Sequence, residues 1–216
     1  MQTDGRGIPS RGAFIVFEGF DRVGKSTQCK LLTTYLRESG REAAHMAFPM
    51  SGTHSHEVIT NFLSCKIKLS SWASHLIFSA NRWECAPMIT ELLERGVTVV
   101  CDRYAYSGVA YTCATNDHIP ILRAIQTDID LPEPDRVFYL RVPESQIEQR
   151  EGFGESKYDS IEMMTKTNAI FEKLRDDKWV SIDATRPIDD IASNIADDVD
   201  QLIVDTEFSH IGRLWN

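Results

Sequence analysis

The feature that most limits how this chain can fold lies near its N-terminus, where an apolar run leads directly into a glycine-rich loop. The run at residues 13–17 (AFIVF) is short and continuously apolar, as expected for a strand that is covered on both faces. Gly19, Gly24, Lys25 and Ser26 follow in the spacing G-x-x-x-x-G-K-S, and leucines at helical spacing come next. Such a loop lets successive backbone N–H groups point inward and cradle phosphate. A chance match on a surface loop is the alternative, but the strand before and the helix after supply the context that a phosphate-binding loop requires.

Two side chains of this loop have tasks that follow from their chemistry. The ammonium group of Lys25 can reach the β- and γ-phosphates of a bound nucleotide, and the hydroxyl of Ser26 can bind Mg²⁺. The loop therefore predicts a phosphate-binding site with Mg²⁺.

Beyond the loop, apolar patterns alternate between strand and helix. The segments EAAHMAF, VTVVCD, DRVFYLRV and WVSIDA are four further predicted strands. Helical patterns lie between strands, and the longest begins at about Ser71, ends at Gly96 and is either continuous or broken at Pro87. Five strands separated by helices predict an α/β fold with a five-stranded, mostly parallel sheet and helices on both faces. We expect residues 1–216 to form a single domain that begins with a polar leader at residues 1–11.

Composition argues against several classes of partner. A formal net charge of −9 disfavours binding to nucleic acid over a broad surface. Five cysteines without a C-x-x-C pair argue against a disulfide framework or a zinc site. No apolar run approaches the ~20 residues that span a bilayer, and the leader lacks the apolar core of a secretory signal. The sequence therefore predicts no membrane association and a location in the cytosol or the nucleus.

A phosphate-binding loop alone does not distinguish a kinase from a GTPase or a motor. A GTPase would carry a guanine-reading N-K-x-D segment after a later strand, and the sequence contains none. A motor or helicase needs long insertions, for which 216 residues leave no room. A small kinase remains as the class to test against the rest of the chain.

Four longer stretches carry a family resemblance. EGFDRVGKSTQ, FPMSGTH, LIFSANRWE and DRYAYSGVAY closely resemble the thymidylate kinase family, and the similarity runs in register from about Gly12 to the C-terminus. The chain looks most similar to the eukaryotic and poxviral branch, in which an arginine stands in the phosphate loop. The resemblance implies a three-layer P-loop kinase fold with a mobile lid at about residues 150–159. It also implies transfer of the γ-phosphoryl group of ATP to dTMP with Mg²⁺, giving dTDP and ADP, by a homodimer.

The resemblance further assigns roles to individual residues of this sequence. The residues implied in catalysis are Arg22, Lys25, Asp102 and Arg103. The residues implied in ATP binding are Gly19, Asp21, Arg22, Val23, Gly24, Lys25, Ser26, Thr27 and Arg150, with adenine expected near residues 184–186. The residues implied in dTMP binding are Asp21, Phe48, Phe78, Arg82, Arg103, Gly108, Tyr111 and Tyr158. Ser26 and Asp102 are implied near Mg²⁺, the latter through water.

The chemistry of these residue types supports the implied roles. In the family, the carboxylate corresponding to Asp21 holds the sugar 3′-hydroxyl, and the arginine corresponding to Arg22 contacts the transferring phosphoryl group. Phosphoryl transfer depends mainly on positioning and charge stabilisation, and arginine offers paired donors to phosphate oxygens. Phe78 and Arg82 are four residues apart, so one helix face can present a ring and a donor to the base. Without the resemblance, the Asp-Arg pair would read as an exposed ion pair and Phe78 as a core residue.

Three positions depart from the family pattern. Ser51 stands where the family usually places an arginine that contacts the acceptor phosphate. Lys157 replaces an arginine of the lid, and Met164 stands where a glutamine is common. The departure at Ser51 leaves alternatives open: an active dTMP kinase, an enzyme with a shifted acceptor such as dUMP, or a nucleotide-binding relative with feeble activity and a regulatory or structural role. The sequence SGTHSH also raises the hypothesis that His54 or His56 compensates for the missing arginine.

Overall fold

The computed structural model describes residues 10–149, 158 and 160–216. Five strands form one sheet, as predicted, and every pairing in it is parallel. The strands are β1 (Phe14–Glu18), β2 (Ala43–Ala47), β3 (Thr98–Asp102), β4 (Arg136–Arg141) and β5 (Trp179–Asp183). Their spatial order is β2-β3-β1-β4-β5, so β1, which leads into the glycine-rich loop, is the central strand.

Eight α-helices surround the sheet in the described part of the chain. They are α1 (Lys25–Glu38), α2 (His56–Leu63), α3 (Ser71–Glu94), α4 (Ala105–Thr115), α5 (Ile121–Ala124), α6 (Glu144–Ile147), α7 (Ile161–Leu174) and α8 (Ile188–Thr206), and a 3₁₀ turn at Ile125–Thr127 follows α5. The sequence patterns did not predict α2, α4, α5 or α6. α3 is one continuous helix, so the possible break at Pro87 does not occur. Ile89 and Leu93, which are fully buried beyond the proline, hold the helix against the sheet.

The central strand divides the core into two layers. Phe14 and Val16 of β1 face a cluster that includes residues of α3, α4 and α7. Ile15 and Phe17, which point to the opposite face, join a cluster that includes residues of α1 and α8. Because successive side chains of a strand point to opposite faces, the fully apolar run at β1 serves both layers. This arrangement confirms the predicted α/β fold with helices on both faces of a parallel sheet.

The N-terminal end of the described chain differs from the predicted polar leader, and the predicted lid lies almost entirely outside the described residues. Arg11, which was placed in the polar leader, is buried and forms a two-pronged ion pair with Asp135, at 2.7 Å for both N–O distances. Of the predicted lid at residues 150–159, only Tyr158 lies within the described residues. Among the described helices, none has the length and apolar character needed to cross a bilayer.

Candidate active site

The glycine-rich loop turns sharply between β1 and α1. Gly19 adopts a φ of 137°, and a Cβ atom there would lie 2.5 Å from the carbonyl oxygen of Leu140. Gly24, directly before α1, has a φ of 99°, and Arg22 between the two glycines also has a positive φ of 65°. Glycine at the first position is therefore required both by the backbone conformation and by close contact with β4.

A cavity of about 570 Å³ opens beside this loop and is called the donor cavity here. Its lining contains the predicted ATP-binding residues Asp21, Arg22, Val23, Gly24, Lys25, Ser26 and Thr27. Ala184, Thr185 and Arg186, at the segment predicted for adenine, line it as well. Gly19 is not among the lining residues, but its backbone conformation sets the turn of the loop. Arg150 lies outside the described residues.

Lys25 lies at the start of α1 with its side chain buried. Its Nζ donates a hydrogen bond of 2.5 Å to the carbonyl oxygen of Phe20. Burial, and to a smaller extent the charge of Arg103, outweigh the opposing charges of Asp102, Asp21 and Glu18 and lower the pKa of Lys25 to about 8. The ammonium group is therefore held in a partly desolvated position, where its charge acts strongly on a bound phosphate.

Ser26 and Asp102 meet at the carboxyl ends of β1 and β3. The Ser26 hydroxyl donates a short hydrogen bond to Oδ2 of Asp102. Oδ1 of Asp102 is buried, and within the described residues it has no hydrogen-bond partner. A buried carboxylate oxygen without a partner, next to a hydroxyl, fits a Mg²⁺ that takes one or two protein ligands and several oxygens from phosphate and water. The described residues contain no cluster of three His, Cys, Asp or Glu side chains of the kind that holds a metal alone.

A second cavity of about 290 Å³ lies between α3, α4 and the loop after β2, and is called the acceptor cavity here. All eight residues predicted to bind dTMP line it: Asp21, Phe48, Phe78, Arg82, Arg103, Gly108, Tyr111 and Tyr158. These residues come from five separate segments of the chain, and the fold brings them to one place.

Asp21 and Arg103 stand where the two cavities meet, since both residues line both cavities. Arg103, with a φ of 67° just after β3, forms a short ion pair with Asp21 and donates to the hydroxyl of Ser107 at 2.9 Å. Burial alone would raise the pKa of Asp21, but the charges of Arg103 and Lys25 outweigh it and hold that pKa below its ordinary value. Asp21 is therefore a carboxylate acceptor between two cations at neutral pH.

Tyr111 forms the wall of the acceptor cavity beside this junction. Its ring lies under the guanidinium of Arg103 at 5.3 Å and stacks with Phe20 at a centroid distance of 6.3 Å. Its hydroxyl donates to Oδ2 of Asp21 at 3.4 Å, and the ring of Tyr158 meets it edge-on at 5.4 Å. These contacts give the cavity a flat, rigid side next to the carboxylate.

The far end of the acceptor cavity is formed by α3 and α4. Phe78 is half-buried, lies outside both core clusters and meets Phe62 edge-on at 6.4 Å. This exposure toward the cavity disfavours the interpretation of Phe78 as a core residue. Arg82, one turn further along α3, is buried and bonds to Asp128 through two nitrogens, at 3.2 and 2.6 Å.

Three polar residues that support the site were missed by the sequence reasoning. Glu18 at the end of β1 is fully buried and accepts hydrogen bonds from the backbone N–H groups of Tyr104 and Ser107, at 2.9 and 3.0 Å, and from the Ser107 hydroxyl at 2.6 Å. Asn81 of α3 bonds to both backbone groups of Met50. The third is Asp128. Glu18 could have been identified from the sequence, because a charged residue directly follows an apolar run there. No local sequence pattern distinguishes Asn81 or Asp128.

The departures from the family pattern have different surroundings. Ser51 is exposed and is not among the residues that line the acceptor cavity. His54 is exposed and bonds through Nδ1 to Glu84 at 3.0 Å, and neither His54 nor His56 lines that cavity. The hypothesis that one of these histidines replaces the missing arginine is therefore not supported. Met164 is buried and packs in the core cluster beside α1 and α8.

Comparisons with known proteins agree on one family. The family model described as thymidylate kinase matches residues 17–195 of this chain. The chain is 42% identical over 207 residues to a thymidylate kinase of Plasmodium falciparum, covering 95% of this chain and 97% of that protein. It is 36% identical over 208 residues to a human thymidylate kinase, covering 95% and 98%. A solved thymidylate kinase structure from Candida albicans, reported in connection with broad substrate specificity, superposes with a TM-score of 0.81 at 32% identity, covering 89% of this chain and 92% of that one.

Proposed function

This chain belongs to the thymidylate kinase family, and from that premise we propose that it transfers the γ-phosphoryl group of ATP to dTMP, giving dTDP and ADP. Members of the family are phosphotransferases that act on dTMP, and this chain is one of them. The observation that carries the proposal for its own residues is that the donor and acceptor cavities share Asp21 and Arg103. Two nucleotides in these cavities would face each other across that pair with their phosphates adjacent, as direct transfer requires.

On the donor side, the phosphate loop and Lys25 hold the β- and γ-phosphates of ATP. The backbone turn at Gly24 presents N–H groups at the start of α1, where the helix dipole also favours negative charge. Lys25 and Arg22 then stabilise the charge that develops on the transferring group. Ser26 and Asp102 would hold Mg²⁺, which when bound neutralises charge on the β- and γ-phosphates.

On the acceptor side, positioning is the main task of the protein. Phe78 stacks on the thymine ring, and Arg82 donates to its carbonyl edge. Asp21 accepts from the 3′-hydroxyl of the deoxyribose, beside Tyr111, and Gly108 lines the cavity next to Arg82. Arg103 holds the acceptor phosphate, and Phe48 closes the cavity at the loop after β2.

The predicted lid completes the site in this proposal. Arg150 approaches ATP, and Tyr158 approaches the base or the sugar of dTMP. The edge-on contact of Tyr158 with Tyr111 and its place in the lining of the acceptor cavity support the second assignment. Closure of such a lid would exclude water, which favours transfer to dTMP over hydrolysis of ATP.

We also propose that the enzyme is a homodimer that forms through α3. Trp72, Leu76 and Trp83 lie on one side of this helix at spacings of four and seven, and their exposed fractions are 38%, 52% and 41%. An apolar stripe of this kind on a monomer surface fits a second copy of the same chain. The test is the molar mass in solution by light scattering: a Leu76→Glu variant should shift the mass toward that of the monomer, 24.5 kDa.

The remaining proposals concern location. All five cysteines are free thiols, and four of them are buried. Free thiols suit a reducing compartment, so we propose that the enzyme works in the cytosol or the nucleus.

The experiment that tests the function is a coupled assay of ADP release against a panel of nucleoside monophosphates. We expect the highest kcat/KM with dTMP, because Phe78 and Arg82 face the base. The kcat/KM for dUMP should be about 10- to 200-fold lower, because a methyl group in an apolar pocket usually changes kcat/KM by such a factor. The value for dCMP should be lower still, since its exocyclic amino group opposes the donors of Arg82. ATP consumption that is independent of the monophosphate would contradict the proposal.

A shifted or weakened acceptor is the second candidate, and the observation that favours it is Ser51. If the family arginine contributes one charge-assisted hydrogen bond, its absence weakens dTMP binding by roughly 1.5–3 kcal/mol. A Ser51→Arg variant should then lower the KM for dTMP. An unchanged KM would mean that Arg103 holds the phosphate without help from this loop.

A further inference from the structure

We propose that Asp128 is a positioning residue for base recognition, which fixes the guanidinium of Arg82 so that a single edge of it faces the acceptor cavity. This inference rests on the proposed function, in which Arg82 donates to the thymine. Asp128 itself is fully buried and is not among the residues that line the acceptor cavity. It would therefore act on the substrate only through Arg82.

The hydrogen bonds of Asp128 fix the orientation of the Arg82 guanidinium. Oδ1 accepts from Nε of Arg82 at 3.2 Å and Oδ2 accepts from Nη2 at 2.6 Å, so the carboxylate and the guanidinium form a planar two-pronged pair. Oδ1 also accepts from the hydroxyl of Ser79 at 2.8 Å. Within the described residues, Nη1 of Arg82 has no hydrogen-bond partner, and Arg82 lines the cavity. Asp128 thus occupies two of the five N–H donors of the guanidinium, and the two on Nη1 and the second one on Nη2 remain for a ligand.

The backbone that carries Asp128 is itself fixed to α3. The hydroxyl of Ser79 shares its single proton between Oδ1 of Asp128 and the carbonyl oxygen of Thr127, which lies 3.0 Å away, and the indole N–H of Trp83 donates to the same carbonyl oxygen at 2.7 Å. His75, one turn earlier on α3, bonds through Nε2 to the carbonyl oxygen of Ala124 at 3.0 Å. One face of α3 thus anchors the short segment that supplies the carboxylate, while the same helix supplies the arginine.

Gly108 of α4 lies next to the same guanidinium. A Cβ atom at this position would lie 2.7 Å from Nη2 and 2.9 Å from Nη1 of Arg82, which is closer than such contacts allow. Glycine therefore lets the α4 backbone lie close to the arginine. The carboxylate of Asp128 and the α4 backbone together limit the positions that the guanidinium can take.

This restriction of the guanidinium has a consequence for which base fits. The charges of Arg82 and Asp128 cancel within a buried pair, so the end of the cavity presents a directed N–H donor without a net charge. A neutral base with a carbonyl acceptor at this edge, as in thymine or uracil, matches that donor. A base with an exocyclic amino group places donor against donor and leaves both unpaired, which is how a polar site discriminates strongly.

The test compares Asp128→Asn with Arg82→Ala and with the double variant, through the KM for dTMP, the KM for ATP and the ratio of kcat/KM for dTMP over dCMP. The asparagine keeps the shape of the side chain and removes its charge. We expect Asp128→Asn to raise the KM for dTMP roughly tenfold and to lower the dTMP-to-dCMP ratio, with the KM for ATP within about twofold of wild type. In the Arg82→Ala background, the change at Asp128 should add less than about twofold, because it acts only through the arginine.

Asp135→Asn is the matched control. Asp135 forms a two-pronged pair with Arg11 that is slightly more exposed, with side-chain exposures of 6% for Arg11 and 12% for Asp135, and both residues lie outside the lining of both cavities. This variant should lose thermal stability much as Asp128→Asn does, but keep the KM for dTMP. Gly108→Ala is the independent perturbation if the asparagine variant does not fold, since it displaces the guanidinium while leaving both charges, and it should raise the KM for dTMP in the same way.

The outcomes separate this inference from the proposed function. Loss of dTMP affinity in Arg82→Ala but not in Asp128→Asn or Gly108→Ala would overturn the positioning role and leave the proposed function intact. A similar loss of dTMP affinity in Asp135→Asn would also overturn it, because the effect would then be general to the fold. No effect of Arg82→Ala on the KM for dTMP, or no turnover of dTMP by the wild-type enzyme, would overturn the proposed base contact and this inference together.

Discussion

Substitution of Glu18 tests how much the hydrogen bonds between the end of β1 and the segment after β3 contribute to stability. Its carboxylate accepts from the backbone N–H groups of Tyr104 and Ser107 in an environment without solvent. In Glu18→Ala these two N–H groups lose their acceptor, and each buried donor without a partner costs about 1–3 kcal/mol. At about 1.5 kcal/mol each, the variant should lose roughly 3 kcal/mol of unfolding free energy, which for a chain of this size lowers Tm by roughly 6–12 °C.

Glu18→Gln is the matched comparison because its amide oxygen can keep both backbone hydrogen bonds. We expect a loss near 1 kcal/mol, or roughly 2–4 °C in Tm. Burial raises the pKa of Glu18, so the folded state holds its proton more tightly than the unfolded state. The contribution of this carboxyl group to stability is therefore fully present at low pH and is lost as the pH rises above 4.5, the ordinary pKa of such a group, so the Tm gap between wild type and Glu18→Gln should shrink as the pH rises.

The assay is differential scanning calorimetry of both variants, with steady-state kinetics at 25 °C. Glu18→Ala should also raise the KM for dTMP more than Glu18→Gln does, because Ser107 holds the guanidinium of Arg103. Equal Tm values for the two variants would refute the reasoning, since they would show that water or a shifted side chain satisfies the backbone donors. A Tm gap that widens with pH would refute the direction of the pKa shift.

Three further predictions concern the donor and acceptor contacts. Arg22→Ala should lower kcat much more than it changes the KM for dTMP, because its contact is strongest in the transition state, and a pure KM effect in steady-state kinetics would show ground-state binding instead. Phe78→Ala should weaken dTMP binding by about 1–3 kcal/mol in a calorimetric titration and leave ATP binding nearly unchanged, whereas equal losses for both nucleotides with a large drop in Tm would favour a core role. The pKa of about 8 for Lys25 predicts that kcat/KM for ATP falls roughly tenfold per unit above pH 8, because the neutral amine no longer attracts phosphate, and a flat profile up to pH 9.5 would contradict the desolvated environment. Lys25→Ala, with a rate about 10²–10³ lower, should show no such decline.

The elements that could be predicted from the sequence are those whose signal is local. The run at residues 13–17 is apolar on both faces because it becomes the central strand, and the spacing of Gly19, Gly24 and Lys25 is imposed by the phosphate cradle. α4 was missed as a helix because AYSGVAYTCAT combines glycine, β-branched and aromatic residues of low helix propensity. Burial of most of that helix against α3 and α7 outweighs its local preference.

The contacts that could not be predicted are those between distant segments. Arg82 and Asp128 are 46 residues apart, and Glu18 and Ser107 are 89 residues apart. No periodicity or motif links such pairs, because their partners are chosen by the packing of helices on the sheet. The resemblance to a family implied roles for residues most of which line the two cavities, but it gave no account of the side chains that hold those residues in place.

The central claim is that ATP and dTMP meet at Asp21 and Arg103, and the transfer of label from [γ-³²P]ATP tests it most directly. With dTMP as acceptor, the wild-type enzyme should place the label in dTDP, with little label in free phosphate, because the phosphate of dTMP would lie next to the γ-phosphate of ATP across the shared residues. Arg103→Ala should reduce labelled dTDP by roughly 10²–10³, as expected for loss of one strong electrostatic contact at the reacting group. Label that appears in free phosphate at a rate unaffected by dTMP, or an Arg103→Ala variant that forms dTDP at the wild-type rate, would contradict the claim.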